Sequence, residues 1–322
     1  MSYSAILLVG GMGTRLHPLT KATPKPMLNV AGVPFIEHQI VRARESGVSE
    51  IILATSFLAE LFQPYFGDGT EFGISIKYSI EEAALGTGGA IRHASNLLTG
   101  RGPVVIFNGD VLSGHDLAGQ IEFHINQEAE VTLYLTTVPD ARAYGAVELS
   151  GDRVIAFNEK MANPPTNTIN AGCYIFNREV IQEIPDGKVV SVERETFPQL
   201  LADSRRVFGF VDDSYWLDIG TPSALVKASQ DLVLGHIVSA ATPAHLGDAL
   251  VAFGATVGEG SKITGGSVIG KGAVVESGCV IEGSNVGAGA VIGSGTVLRN
   301  SFVANNCQVP SGTLGNSCFL GF

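Results

Sequence analysis

Past residue 250 the chain repeats every six residues, and few folds tolerate that period. Val251, Val257, Ile263, Ile269, Val275 and Ile281 recur at spacing six, and after a single five-residue step the series resumes at Val286, Ile292 and Leu298. Ser261, Ser267, Ala273 and Cys279 put a small residue two positions before an apolar one, and glycine is dense between them. A helix repeats about every 3.6 residues and a strand every 2, so neither a bundle nor a sandwich produces this pattern. Hexad periodicity marks a parallel β-helix, and at three hexads per triangular coil nine apolar positions predict about three coils.

The tail from Val309 to Phe322 leaves the hexad register yet ends in Phe319, Leu320 and Phe322. An open β-helix end exposes unpaired backbone and apolar side chains. The tail is therefore expected to fold back as a cap or to bury against another subunit, most simply in a two-fold homodimer. The segment Gly265 to Gly272 nearly spells a phosphate-binding P-loop, but Gly272 stands where Ser or Thr is required and the segment lies within hexads. Hexapeptide helices also occur in acyltransferases. Here no histidine follows His245, which removes the usual general base and leaves the repeat a structural or oligomerising role.

Up to about residue 235, strand and helix patterns alternate. Ala5 to Val9, Glu50 to Ala54, Ile74 to Tyr78 and Val104 to Phe107 read as strands; Pro34 to Ser46, Phe57 to Phe66 and Gly89 to Leu98 read as helices. This βαβ rhythm predicts a mostly parallel sheet with helices on both faces and ligands beyond the C-terminal strand ends. Between Glu130 and Phe176 several short strands read as an insertion building one wall of the site. Ser191 to Ala202 and Pro222 to Leu234 return to helix, the latter with Thr221 as N-cap and Pro222 in the first helical position. Two domains follow, 1–235 and 236–322.

A formal charge of −11 argues against a nucleic-acid partner, which needs a basic face. Residues 1–9 lack a basic n-region and lead straight into a strand, no apolar run approaches about 20 residues, and Cys173, Cys279, Cys307 and Cys318 form no CxxC pair. A cytoplasmic protein without a membrane span is expected.

The first strand runs into Gly10-Gly11-Met12-Gly13-Thr14-Arg15-Leu16, followed by Pro24-Lys25-Pro26. Three glycines in four residues let the backbone turn with its N–H groups exposed, as a phosphate cradle requires. Arg15 offers a guanidinium fork and Lys25, stiffened by two prolines, a compact second cation. The loop lacks the third glycine of a dinucleotide fingerprint and the GK[ST] of a P-loop. Strand, GGMGTRLHPLT and TPKPML together closely resemble the sugar-1-phosphate nucleotidylyltransferases.

That resemblance implies a Rossmann-like catalytic domain of mixed, mostly parallel sheet followed by a left-handed β-helix. It places Leu8, Gly10, Gly11, Met12, Gly13, Thr14, Arg15, Glu81, Gly86, Thr87, Asn108 and Asp110 on the nucleotide. NGD and W-x-D-x-G-T-P match the family's metal aspartates, Asp110 and Asp218, with Mg²⁺ as the ion; Arg15, Lys25, Asp110 and Asp218 are the implied catalytic set. Lys25, Gly145, Glu159, Lys160, Asn170 and Gly172 match the sugar-phosphate pocket. Met161 replaces the proline that usually follows this lysine, and His17 stands where many relatives have arginine.

Glu81-Glu82 opens the base-reading loop. Guanine presents two adjacent donors that one carboxylate accepts together, whereas uracil and thymine present one N–H between two carbonyls, better met by an amide. Glu81 therefore favours guanine, and Glu82 could exchange roles with it. LGTGGAI, NGDVLSG, INAGCYIF and VSVERETFPQLL most resemble the mannose-1-phosphate guanylyltransferases of actinobacterial type. The expected reaction is GTP plus mannose 1-phosphate giving GDP-mannose and pyrophosphate. The alternatives are dTTP with glucose 1-phosphate, a guanylyltransferase for another sugar or cyclitol phosphate, and a non-catalytic subunit that binds GDP-sugar.

Overall fold

The structure, a computed structural model, describes residues 3–321 apart from 22, 57 and 243–246. His245 and the terminal Phe322 therefore lie outside the described residues, as does Phe57 at the start of one expected helix. The chain divides into two compact units, one of residues 1–11 and 42–216, the other of 12–41 and 217–322.

The first unit is built on a nine-stranded sheet. In spatial order its strands are Ser75–Ile80, Val48–Thr55, Tyr3–Leu8, Val104–Asn108, Thr168–Phe176, Val131–Thr137, Val207–Val211, Arg153–Glu159 and Gly145–Ser150. The first four are mutually parallel. Thr168–Phe176 runs antiparallel to both neighbours, and the expected insertion joins the main sheet through it. Val105, Ile106 and Phe107 are buried on both faces, as a continuous apolar run requires. Ile6, Ile52, Ile106, Leu133, Tyr174, Phe176 and Phe197 belong to one core cluster with the helix Gly86–Ser95 packed on it. The helix expected from Phe57 forms only as two short turns, Ala59–Leu61 and Gln63–Phe66, because Pro64 admits helix only at its start and Gly67 turns out at φ 54°.

In the second unit, short parallel strands stack in three sheets of five, four and four strands, the arrangement of a left-handed β-helix. Ile269, Val275, Ile281, Val286, Ile292, Leu298 and Val303 fill its axis. The tail does not leave the coil, as its sequence suggested. Phe302–Val303, Gln308–Val309, Leu314–Asn316 and Phe319–Leu320 continue the three sheets, making four full coils and a closing strand instead of about three. The five-residue step recurs once in each coil after the first: Ala249 pairs with Ser267, 18 residues on, but Val268 pairs with Asn285 and Phe302 with Phe319, each 17 on.

The helix Pro222–Val233 is capped by Thr221, whose hydroxyl accepts from Ala224 N–H at 3.2 Å. Its buried Ser229 accepts from Ala31 N–H at 2.9 Å and from Asn285 Nδ2 at 2.8 Å, tying residues of the 12–41 segment and of the β-helix to one hydroxyl. Among the described residues no helix is long and apolar enough to cross a membrane.

Candidate active site

In the first unit, parallel pairing sets Leu8 beside Asn108, so two adjacent strands end together. Gly109 N–H donates to Leu8 O at 3.0 Å, and a Cβ on Gly109 would stand 2.5 Å from that oxygen. The turn of Asn108-Gly109-Asp110 thus crosses the strand end so closely that only glycine fits. Ser56 Oγ donates to Gly10 O and holds the loop entry, while nothing stands within 4 Å of where a Gly11 Cβ would be. Leu8, Gly10, Gly11, Asn108 and Asp110 are therefore gathered at one sheet end.

The loop expected to read the base is closed by Glu81, whose Oε2 accepts Leu85 N–H at 3.0 Å. A carboxylate has about four lone-pair sites, so this bond is compatible with two guanine donors on the same side chain. Glu82 is exposed. Gly86 has φ +70°, and a Cβ there would meet Val190 O at 2.6 Å. Thr87 turns its hydroxyl to Glu193 Oε2, at 2.7 Å, and accepts Val192 N–H at 2.9 Å. The Thr87 side chain is thus engaged with the 190–193 segment, and its backbone in the first helical turn is what it can present to an anion.

Among the residues expected at the sugar phosphate, Gly145 lies opposite Glu159 in antiparallel register, and a Cβ at Gly145 would lie 2.9 Å from Glu159 Oε2. Lys160 leaves the strand with φ +51°, its N–H bonded to Tyr144 O at 3.0 Å and its Nζ 3.4 Å from Glu159 Oε1. A non-glycine residue in the left-handed region is a strained choice of the kind that collects at ligand sites. With Met161 in place of proline, this conformation is open to residue 160, because the residue before a proline is held extended. Asn170 Oδ1 accepts Gly172 N–H at 3.2 Å across a bulge in strand Thr168–Phe176. Gly172, at φ +80°, would meet Asn108 Nδ2 at 3.1 Å if it carried a Cβ, so the segments expected at the nucleotide and at the sugar phosphate adjoin here.

The second unit holds Met12, Gly13, Thr14, Arg15, Lys25 and Asp218. Gly13, at φ 60°, starts the turn Thr14–Leu16, its carbonyl accepting Thr20 Oγ1 at 2.8 Å. A Cβ on Gly13 would stand 3.1 Å from Lys25 Cβ, and one on Gly220 3.0 Å from both Arg15 Nη1 and Asp218 Oδ2. Arg15 and Asp218 thus flank one glycine, and Lys25, buried, packs beside another. The chain passes between the units at Gly11/Met12, at Val41/Arg42 and at Trp216/Leu217.

Among the described residues no group of three or more His, Cys, Asp or Glu gathers as a metal site. The two carboxylates Asp110 and Asp218 are hard oxygen donors. Either one suits a divalent cation that takes a carboxylate and completes its shell with water and substrate phosphates. The sequence did not single out Tyr174 or Glu193. Glu193 lies 106 residues from Thr87, and no local pattern joins them.

The family profile described as nucleotidyl transferase matches residues 4–234. A mannose-1-phosphate guanylyltransferase of Mycobacterium tuberculosis is 50% identical over 259 residues, covering 80% of this chain and 72% of that protein. A D-glycero-alpha-D-manno-heptose 1-phosphate guanylyltransferase of Aneurinibacillus thermoaerophilus is 38% identical over 71% of this chain and 97% of its own length. Among solved structures, HddC from Yersinia pseudotuberculosis complexed with GMP-PN superposes with a TM-score of 0.61 at 29% identity, covering 70% of this chain and 97% of that one.

Proposed function

The chain belongs to the nucleotidyl transferase family, and from that premise we propose that it transfers a guanylyl group from GTP to mannose 1-phosphate, releasing GDP-mannose and pyrophosphate. The 50% identity to the mycobacterial guanylyltransferase carries this reading. The placement of Glu81 at the mouth of the base loop supports it independently.

In this reading, the glycine loop from Gly10 to Thr14 and Arg15 hold the triphosphate. Lys25 and Lys160 hold phosphate oxygens, Glu159 and Asn170 accept and donate to sugar hydroxyls, and Glu81 accepts the guanine edge. Asp110 and Asp218 would be the protein ligands of Mg²⁺, which when bound neutralises charge around the α-phosphorus. The sugar-phosphate oxygen attacks that phosphorus in line with the departing pyrophosphate. No side-chain nucleophile is needed, since positioning and electrostatics carry phosphoryl chemistry. Residues 1–235 form the catalytic segment and 236–322 the repeat; the enzyme works in the cytoplasm. A panel of nucleoside triphosphates against sugar 1-phosphates, scored by pyrophosphate release, should give GTP with mannose 1-phosphate the highest kcat/KM. Preference for dTTP or UTP would overturn the role given to Glu81.

The β-helix is proposed to pair two copies. Val251, Phe253 and Val257 on the first coil and Leu314 on the last are exposed apolar side chains, Phe253 to 89%. Sedimentation should give twice the 33.6 kDa chain mass. Deleting residues 315–322 removes the closing strand over Phe302 and Val303 and should lower the Tm by several degrees. A monomeric full chain would refute the pairing, and an unchanged Tm would refute the capping role of that strand.

A further inference from the structure

The turn Val192–Thr196 is wound as a π-helix, a form that occurs mostly as single turns and often at functional sites. Its Glu193 carboxylate collects three hydroxyls. Oε2 accepts from Thr87 Oγ1 at 2.7 Å and Ser191 Oγ at 3.0 Å, and Oε1 faces the Tyr174 hydroxyl at 3.5 Å. Tyr174 is fully buried. Burial, and after it the charge of Glu193, hold its pKa well above the ordinary phenol value, so the hydroxyl keeps its proton.

A neutral phenol has one hydrogen to donate and two lone pairs to offer. With its hydrogen directed at Glu193, the Tyr174 oxygen accepts Asn108 Nδ2 at 3.3 Å and Asn170 Nδ2 at 3.0 Å. An asparagine amide has two possible orientations, and the partner of its nitrogen selects between them. The sense of the Asn108 amide is therefore set by which way the phenol hydrogen points, and that of Asn170 by the phenol together with the Gly172 N–H that its Oδ1 accepts at 3.2 Å; the phenol hydrogen is in turn set by a carboxylate whose other oxygen holds the base loop through Thr87.

We infer that Glu193 is a positioning residue for the proposed reaction: through Tyr174 it fixes the orientation of Asn108 on the nucleotide side and Asn170 on the sugar side, and through Thr87 it fixes the base loop. One carboxylate thus registers the two substrates against each other. This rests on the assignment of Asn108 and Asn170 to the two substrates under the proposed function. A residue that only anchored the base loop would act on the nucleotide alone, and that loop already has backbone anchors in Gly88 N–H to Val190 O at 2.8 Å and Val190 N–H to Leu85 O at 2.9 Å.

Glu193→Gln keeps the shape but gives the phenol an amide in place of an anion to face. It should raise KM for GTP and for mannose 1-phosphate together, by about tenfold each, the effect of a lost charge-assisted hydrogen bond. Tyr174→Phe, which leaves Thr87 and Ser191 on Glu193, should do the same, and the double variant should add little to either, since both act on one linkage. The Tm of each variant reports folding separately. A second readout needs no turnover: in ¹⁵N-labelled protein, the side-chain amide resonances of Asn108 and Asn170 should both shift in Glu193→Gln. A KM defect confined to GTP, additive effects in the double variant, or unmoved amide resonances would overturn the inference. Absence of turnover in the unmodified protein would count against the proposed reaction alone, with the amide resonances still deciding the role of Glu193.

Discussion

Asp110→Asn and Asp218→Asn should each lower kcat by about 10²-fold or more with the fold retained, because each removes a charge that stabilises the transition state while keeping the side-chain shape. The loss should fall on kcat more than on KM for GTP, since in the proposed reaction Arg15 and the glycine loop still bind the triphosphate. Asp218→Asn carries a second expectation. Asp218 Oδ2 and Arg15 Nη1 approach the same point beside Gly220, so neutralising the aspartate also leaves the guanidinium without its neighbouring charge. Steady-state kinetics across a Mg²⁺ titration, with far-UV circular dichroism as the fold control, measures both variants. Near-normal kcat in either would refute the metal role of that residue.

The largest stability effect is expected at Glu50, far from the chemistry. This residue is 6% exposed in strand Val48–Thr55. Its carboxylate accepts from Lys77 Nζ at 2.7 Å, Thr99 Oγ1 at 2.8 Å, Thr99 N–H at 3.0 Å and Ser4 Oγ at 3.1 Å. Burial alone would raise its pKa. The bonds from Lys77, Thr99 and Ser4 outweigh burial and bring it from 4.5 down to about 2.

A carboxylate depressed in the folded state contributes stability above its unfolded pKa, and the contribution is lost as pH falls through 4.5 toward 2. The shift corresponds to about 3 kcal/mol at neutral pH. Glu50→Gln should therefore lower unfolding free energy by about 2–3 kcal/mol at pH 7 and flatten the acid limb of the stability curve below pH 5. Urea titrations from pH 3 to 7 test this; parallel curves for the two proteins would show that Glu50 is not the group whose protonation weakens the fold.

The repeat and the βαβ order could be read from residue types because both are local periodicities, of six in one half and of alternating strand and helix in the other. The last coil could not, and the reason is a substitution within the axis. Gly315 occupies a slot opposite Leu298 where the series calls for an apolar residue, and Cys318 Sγ would lie 2.5 Å from a Cβ there, so the sulfur supplies the missing bulk from a neighbouring position. With that slot empty of side chain and the step shortened to five, the hexad signal fades although the strand pairing continues.

The site divides in the same way. Asn108-Gly109-Asp110 and Gly10-Gly11 stand out because they end apolar strands, and Gly145 and Gly172 because their motifs carry them. The Thr87–Glu193–Tyr174 linkage was hidden, since it joins three segments through a π-turn that has no compositional signature. Thr87 itself reads as a nucleotide ligand by position, and only the folded chain shows its hydroxyl turned inward.

The proposed reaction stands most directly on the fate of the α-phosphate. Purified protein given Mg²⁺, mannose 1-phosphate and GTP labelled at the α-phosphorus should move the label into GDP-mannose, with one pyrophosphate released for each molecule formed. Label retained in GTP, or appearing in GMP without a sugar nucleotide, would contradict it.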